Sequence, residues 1–506
     1  MNIPQVLNSL RKSHPDKIAI IFKEQEITFR KLAEECFRLA SGLLSLGIKK
    51  GDKVAIYLLN EPEYIYSYLA IWVAGATAVP LDYMLTEDEL VSCISHSEAK
   101  VLIARPKPVV SLAEIKESCQ GLKHIIAIPA HQEATCSFEE LIKNNNEAIP
   151  NIDIQDKDHA IIFYTSGTTG KPKGVLINYQ QLDAPTKAMG YFVNNDVKDD
   201  DKTLCIVPFS HLGGLIYIQV MLAYGTTMVL AERFIPLEFL KTVQHYRINW
   251  FWLVPSMYYA LLQLKDFESF DLSSLRWIVI FGAPSSPDAI RRFHNHCPKA
   301  KLYHGWGLTE TNAPTTVIPS GSDKIESVGK PAPWIQVKIV DDNDQELAQG
   351  ERGEIVVAGW VVTDGYYKDP ELTEQTFRSG WFHTGDLGKF DSEGYLYIVG
   401  RKKEMIKVAG EIVFEPEVEA AIHKHPEVAE AAVIGVPDKL RGEVPKAFIV
   451  FKDGKNINEE EMRYFLRQHL SHFKIPHYFE ARLQLPKNRT GKIDKEKLRK
   501  EASTRG

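Results

Sequence analysis

The sequence predicts an α/β protein with a large N-terminal domain of helix-covered sheets, a small β-barrel-like region and a small C-terminal α+β domain. The chain of 506 residues is too long for one ordinary domain. Helix and strand patterns alternate in its first third and again over residues 203–302. Residues 334–394 are instead rich in β-branched residues and turn pairs, which is typical of short antiparallel strands.

The first βα units can be placed along the chain. Thr28 is a suitable N-cap for a helix whose apolar residues recur at helical spacing until Gly47. The apolar run 54–58 predicts a strand, and Pro62 is a favourable first residue for the next helix. This order of elements predicts a sheet covered by helices.

Two apolar segments raise the question of a membrane. Residues 65–81 are interrupted by Gly75 and Pro80 and are shorter than a usual span, so they predict a buried helix that leads into a buried strand. Residues 250–264 are rich in aromatic residues, for which core packing is favoured. We therefore expect membrane contact to be at most peripheral.

Composition narrows the class of protein. A net charge of -6 argues against a nucleic-acid-binding protein. Basic residues exceed acidic ones after Arg401, which fits either an anionic ligand or a solvated face. None of the 6 cysteines forms a CxxC pair, and the N-terminus lacks the apolar core of a signal peptide. These features predict a cytoplasmic protein without disulfides. They leave its oligomeric state open.

The strongest functional signal is the segment YTSGTTGKPKG at residues 164–174. Glycines that follow a buried strand let backbone N–H groups turn inward around phosphate oxygens, and the alternative of a plain polar turn is disfavoured. An ordinary P-loop is excluded, because Pro172 stands where that motif needs a hydroxyl for magnesium. The candidate phosphate ligands are Thr165, Ser166, Gly167, Thr168, Thr169, Gly170, Lys171 and Lys173.

This loop resembles the phosphate-binding loop of the adenylate-forming superfamily, which contains acyl-CoA synthetases, peptide-synthetase adenylation domains and beetle luciferases. Further segments that resemble the family follow in the family's order over nearly the whole chain. They are PFSH at 208–211, GAP at 282–284, HGWGLTE at 304–310, GWFHTGD at 380–386, GRKK at 400–403 and PKNRTGK at 486–492.

The resemblance implies an ATP site. Trp306, where Tyr is commoner, would stack on adenine, Thr309 would meet the α-phosphate, and Asp386 would bind the ribose hydroxyls. Glu310 and Thr165 would hold magnesium, and Lys492 would be the catalytic lysine. Further nucleotide contacts would come from Gly282, Ala283, Pro284, His304, Gly305, Gly307, Ile398 and Arg401.

The resemblance also implies an acyl pocket and a thiol site. His211 would lie near the substrate carboxylate and the phosphates. The remaining pocket residues would be Gly213, Gly214, Leu215, Trp252, Gly282 and Gly307. Coenzyme A would meet Lys407, Gly410 and Lys474. Lys403 would be the hinge residue, so we expect a large domain over residues 1–399, a hinge at 400–403 and a mobile small domain at 404–506.

The function implied is an AMP-forming carboxylic acid–CoA ligase, with a fatty acid as the expected substrate and ATP, Mg²⁺ and coenzyme A as the other reactants. Four alternatives share part of this pattern. They are a ligase that loads an acyl carrier protein, an aryl-acid–CoA ligase, a luciferase-like oxygenase and an inactive binding or scaffold protein. The last would need a broken motif, and none is found.

Overall fold

A computed structural model describes residues 1–165, 173–282, 287–319, 321–409, 411–438, 440–452, 458–487 and 492–503. The helices of this part of the chain are α1 Ile3–Ser13, α2 Phe29–Ser45, α3 Pro62–Val73, α4 Glu87–Ser97, α5 Leu112–Ser118, α6 Phe138–Lys143, α7 Ala184–Phe192, α8 Leu212–Tyr224, α9 Pro236–Tyr246, α10 Pro255–Leu262, α11 Pro287–Asn295, α12 Pro370–Thr376, α13 Glu415–His423, α14 Glu459–Arg467 and α15 Lys495–Ser503.

The strands fall into four sheets, three of them before Lys402. Those strands are β1 Ile18–Phe22, β2 Gln25–Thr28, β3 Lys53–Tyr57, β4 Thr77–Pro80, β5 Ala99–Ala104, β6 His124–Ala127, β7 Cys136–Ser137, β8 His159–Thr165, β9 Lys173–Asn178, β10 Lys202–Cys205, β11 Thr227–Leu230, β12 Trp250–Leu253, β13 Trp277–Ile280, β14 Lys301–Trp306, β15 Thr316–Val317, β16 Lys330–Pro331, β17 Gln336–Val340, β18 Gly353–Ala358, β19 Phe377–Arg378, β20 Trp381–Phe390 and β21 Leu396–Arg401.

The first two sheets are largely parallel. One has the order β16-β15-β14-β13-β12-β10-β11-β1-β2, with antiparallel pairs at both edges. The other has the order β7-β6-β5-β3-β4-β8-β9, and only its last pair, β8 with β9, is antiparallel among the described strands. The βαβ rhythm in the sequence predicted this arrangement, and the prediction is confirmed.

Alternating side chains of the second sheet enter different cores. Val54 and Ile56 join the large core that also contains α2, α3, α8 and the first sheet, whereas Ala55 and Tyr57 face α4 and α5. The local predictions hold as well. The hydroxyl of Thr28 accepts a hydrogen bond from the N–H of Lys31 at 3.2 Å and caps α2, while α3 begins at Pro62.

Residues 334–394 form the predicted antiparallel strands, in the order β17-β18-β20-β19 with β21 also pairing with β20. The next strand, β22 Met405–Val408, belongs to the fourth sheet, so the chain passes between sheets over residues 402–404. The predicted hinge, residues 400–403, overlaps this passage at residues 402 and 403. The hinge and the rotation about it stay predictions.

The C-terminal unit is the predicted α+β domain. Its remaining strands are β23 Glu411–Phe414, β24 Val428–Asp438, β25 Gly442–Phe451 and β26 Tyr478–Ala481, in the order β23-β22-β25-β24 with β26 beside β25. Helices α13 and α14 cover one face of this sheet, and α15 covers the other.

Candidate functional site

The predicted site segments meet where parallel strands end. Thr165 ends β8, residues 208–211 follow β10, Gly282 follows β13 and Trp306 ends β14. The carboxyl edge of parallel strands is where open α/β sheets bind ligands. The two main sheets therefore contribute side chains to one region.

The phosphate loop joins two hydrogen-bonded strand ends. Thr165 pairs with Lys173 across β8 and β9, which holds the ends of the loop side by side. The loop residues named from the sequence, Ser166, Gly167, Thr168, Thr169, Gly170 and Lys171, lie outside the described residues, as do Ala283, Pro284 and Gly410. Their roles stay predictions.

The side chain of Glu310 is half-buried and its carboxylate has several neighbours. Burial raises the pKa of its carboxyl group, whereas a hydrogen bond from Tyr366 and the charges of Arg401 and Lys173 lower it. The Tyr366 hydroxyl donates to Oε1 at 3.0 Å, and the N–H of Thr363 donates to the Glu310 carbonyl at 2.7 Å. The carboxylate is thus fixed beside two cations, in the turn that begins at Thr309.

Asp386 is buried between two donors. The indole Nε1 of Trp306 donates to its Oδ2 at 2.7 Å, and Nε of Arg401 lies 2.7 Å from its Oδ1. Burial raises the pKa of Asp386, while Arg401 and Trp306 oppose that rise. Ile398 packs against the apolar cluster that contains Trp306.

Two lysines after the third sheet approach these groups. Lys492 retains solvent-exposed surface, yet the protein atoms crowded around its ammonium and the nearby Arg401 guanidinium lower its pKa, while Asp386 raises it. Desolvation and the charge of Arg401 also lower the pKa of Lys403, and the charge of Lys173 lowers it further. The small domain thus places Lys492 beside residues of the large domain.

His211 is positioned by residues that sequence reasoning missed. Its Nε2 lies 3.2 Å from Oδ2 of Asp82, whose other oxygen accepts the N–H of Met84 at 2.8 Å. Asn60 holds the preceding segment, because it donates to the Val207 carbonyl and accepts from the N–H of Phe209. Asp82 lies two residues after Pro80, the end of a buried strand, and this position at the carboxyl edge could have indicated it.

The acyl-pocket residues divide into two groups. Leu215 and Trp252 are buried, and the rings of Trp252 and Phe281 lie 5.0 Å apart between centroids. Gly282 adopts a φ of +99°, which favours glycine. A Cβ at Gly214 would lie 2.3 Å from the Pro208 carbonyl oxygen, so this glycine permits close backbone packing.

The other glycines and His304 have packing roles in this structure. A Cβ at Gly305 would lie 2.1 Å from the Thr316 carbonyl oxygen, and one at Gly307 would lie 2.9 Å from that of Ala313. A Cβ at Gly213 would lie 3.1 Å from Cγ1 of Val207. Burial lowers the pKa of His304 to about 4, so its ring is neutral at pH 7.

The residues assigned to coenzyme A are arranged around β22. Lys407 is exposed on that strand. Lys474 instead donates to Oε1 of Glu417 at 2.6 Å and is only 18% exposed. The N–H of Ala409 donates to the Arg441 carbonyl at 2.8 Å, so the described chain before Gly410 lies against the β24–β25 turn.

Together, the sheets, the small α+β domain and the convergent groups at 310, 386, 401 and 492 define an adenylate-forming ligase. The chain belongs to the AMP-binding enzyme family, whose model matches residues 9–367 and whose C-terminal domain model matches residues 417–492.

Curated relatives match over nearly the whole chain. A long-chain-fatty-acid–CoA ligase of Bacillus subtilis is 33% identical, with 99% of this chain and 94% of that protein covered. A feruloyl-CoA synthase of an Amycolatopsis species is 33% identical over 96% of each chain. A 2-succinylbenzoate–CoA ligase of Bacillus licheniformis is also 33% identical, with 98% of this chain and 100% of that protein covered.

Solved structures confirm the fold. An anthranilate CoA ligase in complex with anthranoyl-AMP superposes with a TM-score of 0.90 at 28% identity, covering 99% of this chain and 97% of that one. ATP-bound MatB from Rhodopseudomonas palustris superposes with a TM-score of 0.89 at 30% identity, covering 99% of both chains.

These relatives identify an AMP-forming acyl- or aryl-CoA ligase that uses ATP and coenzyme A. Mg²⁺ is the ion that usually accompanies ATP in such enzymes. Among the residues that the structure describes, no helix combines the length and the apolar character needed to cross a membrane.

Proposed function

We propose that the acid substrate is a fatty acid, which the enzyme activates as an acyl-adenylate and transfers to coenzyme A. The observation that carries the two-step reaction is the convergence of Glu310, Asp386 and Arg401 with Lys492 of the small domain. Buried apolar residues near His211 and the long-chain-fatty-acid relative support the choice of acid.

An aryl acid is the second candidate. The rings of Trp252 and Phe281 are tilted by 54° to each other with centroids 5.0 Å apart, and Phe281 directly precedes Gly282. Aromatic rings pack on one another at such separations with a modest gain beyond that of buried area. The feruloyl-CoA synthase and the anthranilate ligase are relatives named for aryl acids.

In the first step, the substrate carboxylate attacks the α-phosphorus of ATP, and the bond to pyrophosphate breaks. Negative charge is then shared between the phosphoryl oxygens and the attacking group, so fixed cations accelerate the step. Lys492, Arg401 and Lys173 supply positive charge in this region. Thr165, at the start of the phosphate loop, would add a hydroxyl ligand.

The residues present fit magnesium. In the described part of the chain, no group of three or more His, Cys, Asp and Glu side chains is arranged to hold an ion. Magnesium on a nucleotide needs no such group, because phosphates and water supply most of its ligands beside one or two carboxylates. Glu310, with Thr165, would hold the ion, which when bound neutralises phosphate charge.

His211 would orient the substrate carboxylate. The contact with Asp82 restricts the orientation of the imidazole. Two hydrogen bonds with the Asn60 side chain fix the backbone just before His211. Because the carboxylate of Asp82 accepts from Nε2–H, the ring would need a second proton, on Nδ1, to donate to a substrate carboxylate or phosphate oxygen. The role of His211 is therefore binding and orientation of the acid.

In the second step, the thiol of coenzyme A attacks the acyl carbon, and AMP leaves. We infer that the small domain rotates about Lys403 between the steps, so that the face with Gly410 and Lys407 replaces Lys492 at the site. Residues 402–404 connect the two sheet systems, which supports a hinge there.

A panel of acids tests the substrate assignment. We expect acid-dependent pyrophosphate release to be fastest with medium- or long-chain fatty acids and slow with ferulate, anthranilate and succinylbenzoate. The opposite ranking would establish the aryl candidate. A second panel with coenzyme A and acyl carrier protein as acceptors tests the thiol, and preference for the carrier protein would overturn the proposal for coenzyme A.

A further inference from the structure

Trp306 and Asp386 are 80 positions apart in the chain but are directly hydrogen-bonded. The indole Nε1 donates to Oδ2 at 2.7 Å, and both side chains are more than nine-tenths buried. Trp306 therefore does more than present a ring face. It holds the carboxylate that the sequence analysis predicts to bind the ribose of ATP.

Trp306 and Arg401 contact the two carboxylate oxygens of Asp386 and restrict their orientation. Its backbone is fixed by pairing with Arg401 across β20 and β21 and by a hydrogen bond from its N–H to the Thr384 hydroxyl at 3.1 Å. Its oxygens are approached from different sides, Oδ1 by Nε of Arg401 and Oδ2 by the indole of Trp306. The rotation of the carboxylate is thus set by these two side chains.

We propose that Trp306 is a positioning residue for nucleotide selection, because its indole N–H fixes the carboxylate of Asp386 in the orientation that binds the 2′- and 3′-hydroxyls of ATP. This inference rests on the proposed ribose role of Asp386. Each carboxylate oxygen has two acceptor positions, so the hydrogen bond from Trp306 and the ion pair with Arg401 persist while the ribose hydroxyls donate to the remaining positions.

The carboxylate of Asp386 is a buried anion. A buried carboxylate that loses a hydrogen-bond partner is penalised more than an exposed one, and bonds to charged groups are the stronger ones. Phenylalanine at this position keeps a π-face for adenine but has no N–H. Trp306→Phe therefore separates stacking on the base from orientation of Asp386.

The test compares ATP with 2′,3′-dideoxy-ATP in the full-length enzyme. For Trp306→Phe, we expect KM for ATP to rise about tenfold and KM for dideoxy-ATP to change little, so that the preference for ATP falls about tenfold. An equal rise in both KM values would mean that Trp306 acts only through packing or stacking and would overturn the proposal. The preference is a ratio measured on one preparation, so it does not depend on the fraction of active enzyme.

Trp334→Phe is the matched control. Trp334 packs against the same apolar cluster, and its Nε1 has no hydrogen-bond partner among the described residues. The same substitution there removes an indole without touching Asp386. We expect the preference for ATP over dideoxy-ATP to stay as in the wild type, and a comparable fall would contradict a specific role of Trp306.

Asp386→Asn tests the ribose role of Asp386 separately from the positioning role of Trp306. If Asp386 binds the ribose, this variant loses most of the preference for ATP over dideoxy-ATP. Loss in Asp386→Asn together with an unchanged preference in Trp306→Phe would overturn the positioning role alone. An unchanged preference in Asp386→Asn would overturn the ribose assignment, and the inference about Trp306 with it.

Discussion

At the scale of single residues, Glu310 is the most direct test of the metal site. Glu310→Gln keeps the shape and the hydrogen-bond acceptor for Tyr366 but removes the negative charge. We expect adenylation to slow about 100-fold, because the ion that neutralises phosphate charge loses its carboxylate ligand. The measurement is acid-dependent pyrophosphate release as a function of magnesium concentration.

Tyr366→Phe is the control for that substitution. It removes the hydrogen bond at 3.0 Å from the Glu310 carboxylate and leaves the charge in place. We expect a much smaller loss and an unchanged magnesium dependence. A Glu310→Gln variant with a near wild-type rate would assign the metal to another ligand.

Lys492 should serve only the first half-reaction. Lys492→Ala removes positive charge from the site beside Arg401 and Asp386, so we expect adenylate formation to slow by about 100-fold or more. Thioester formation from a supplied acyl-adenylate should be spared. Single-turnover measurement of each step separates the two, and an equal loss in both would contradict the assignment.

The pKa of Lys492 gives a second readout at this residue. Because desolvation and Arg401 lower that pKa, the ammonium loses its proton below the ordinary value of 10.5. The adenylation rate of the wild type should therefore fall as pH rises towards that value. Lys492→Arg keeps its charge over the same range, so its smaller rate should show no such fall, and a parallel fall in both proteins would point to another group.

The sequence identified residues of this kind when a motif carried them. Glu310 was predicted because Pro172 removes the usual P-loop metal ligand, and Asp386 because a carboxylate suits two ribose hydroxyls. Asp82, Tyr366 and the bond between Trp306 and Asp386 were not predicted. Asp82 could have been inferred from its place just after a buried strand, whereas the contacts of Tyr366 and Trp306 depend on which segments are neighbours in space, which a single sequence does not encode in any local pattern.

At the scale of elements, Gly410 tests the face of the small domain that meets the thiol. Gly410→Leu places a side chain in the proposed path of the pantetheine arm. We expect thioester formation to slow strongly while adenylate formation stays near the wild-type rate. The two rates are measured separately by single-turnover kinetics.

Gly121→Leu provides a matched substitution elsewhere. Gly121 has no atom within 4 Å of a Cβ built on it and no positive φ, so leucine there meets open space. We expect both half-reactions to be unchanged. If Gly410→Leu slowed adenylation as much as thioester formation, the thiol path would lie elsewhere.

Lys403 tests the connection between the sheets. Lys403→Pro fixes φ and removes an N–H, so we expect it to obstruct rotation and to slow thioester formation more than adenylation. Lys403→Ala removes the same side chain but leaves φ free, and it should retain both steps better. Equal effects of proline and alanine on thioester formation would show that the side chain matters and the rotation does not.

Element prediction succeeded where the signal was local. The cap at Thr28 and the proline at 62 located α2 and α3, and the apolar run 54–58 located β3. The order of strands was not predictable in the same way. β1 pairs with β11, more than 200 residues later. Burial in a shared core selects this neighbour, and the local hydrophobic period carries no information about it.

At the scale of the whole molecule, the proposed reaction needs two domains that act in sequence on one intermediate. We propose that the large domain binds ATP and the acid, and that the small domain supplies Lys492 to the first step. Its other face would supply the thiol site to the second. The family and the two-domain architecture were predictable because the motifs span nearly the whole chain, whereas the acid depends on packing around Trp252 and Phe281 that no motif encodes.

The most direct test of this central claim is the identity and ratio of the products formed from ATP, acid and coenzyme A. We predict one AMP and one pyrophosphate for each acyl-CoA, and pyrophosphate with enzyme-bound acyl-adenylate when coenzyme A is left out. Formation of ADP and phosphate, or release of AMP that does not depend on the acid, would contradict it.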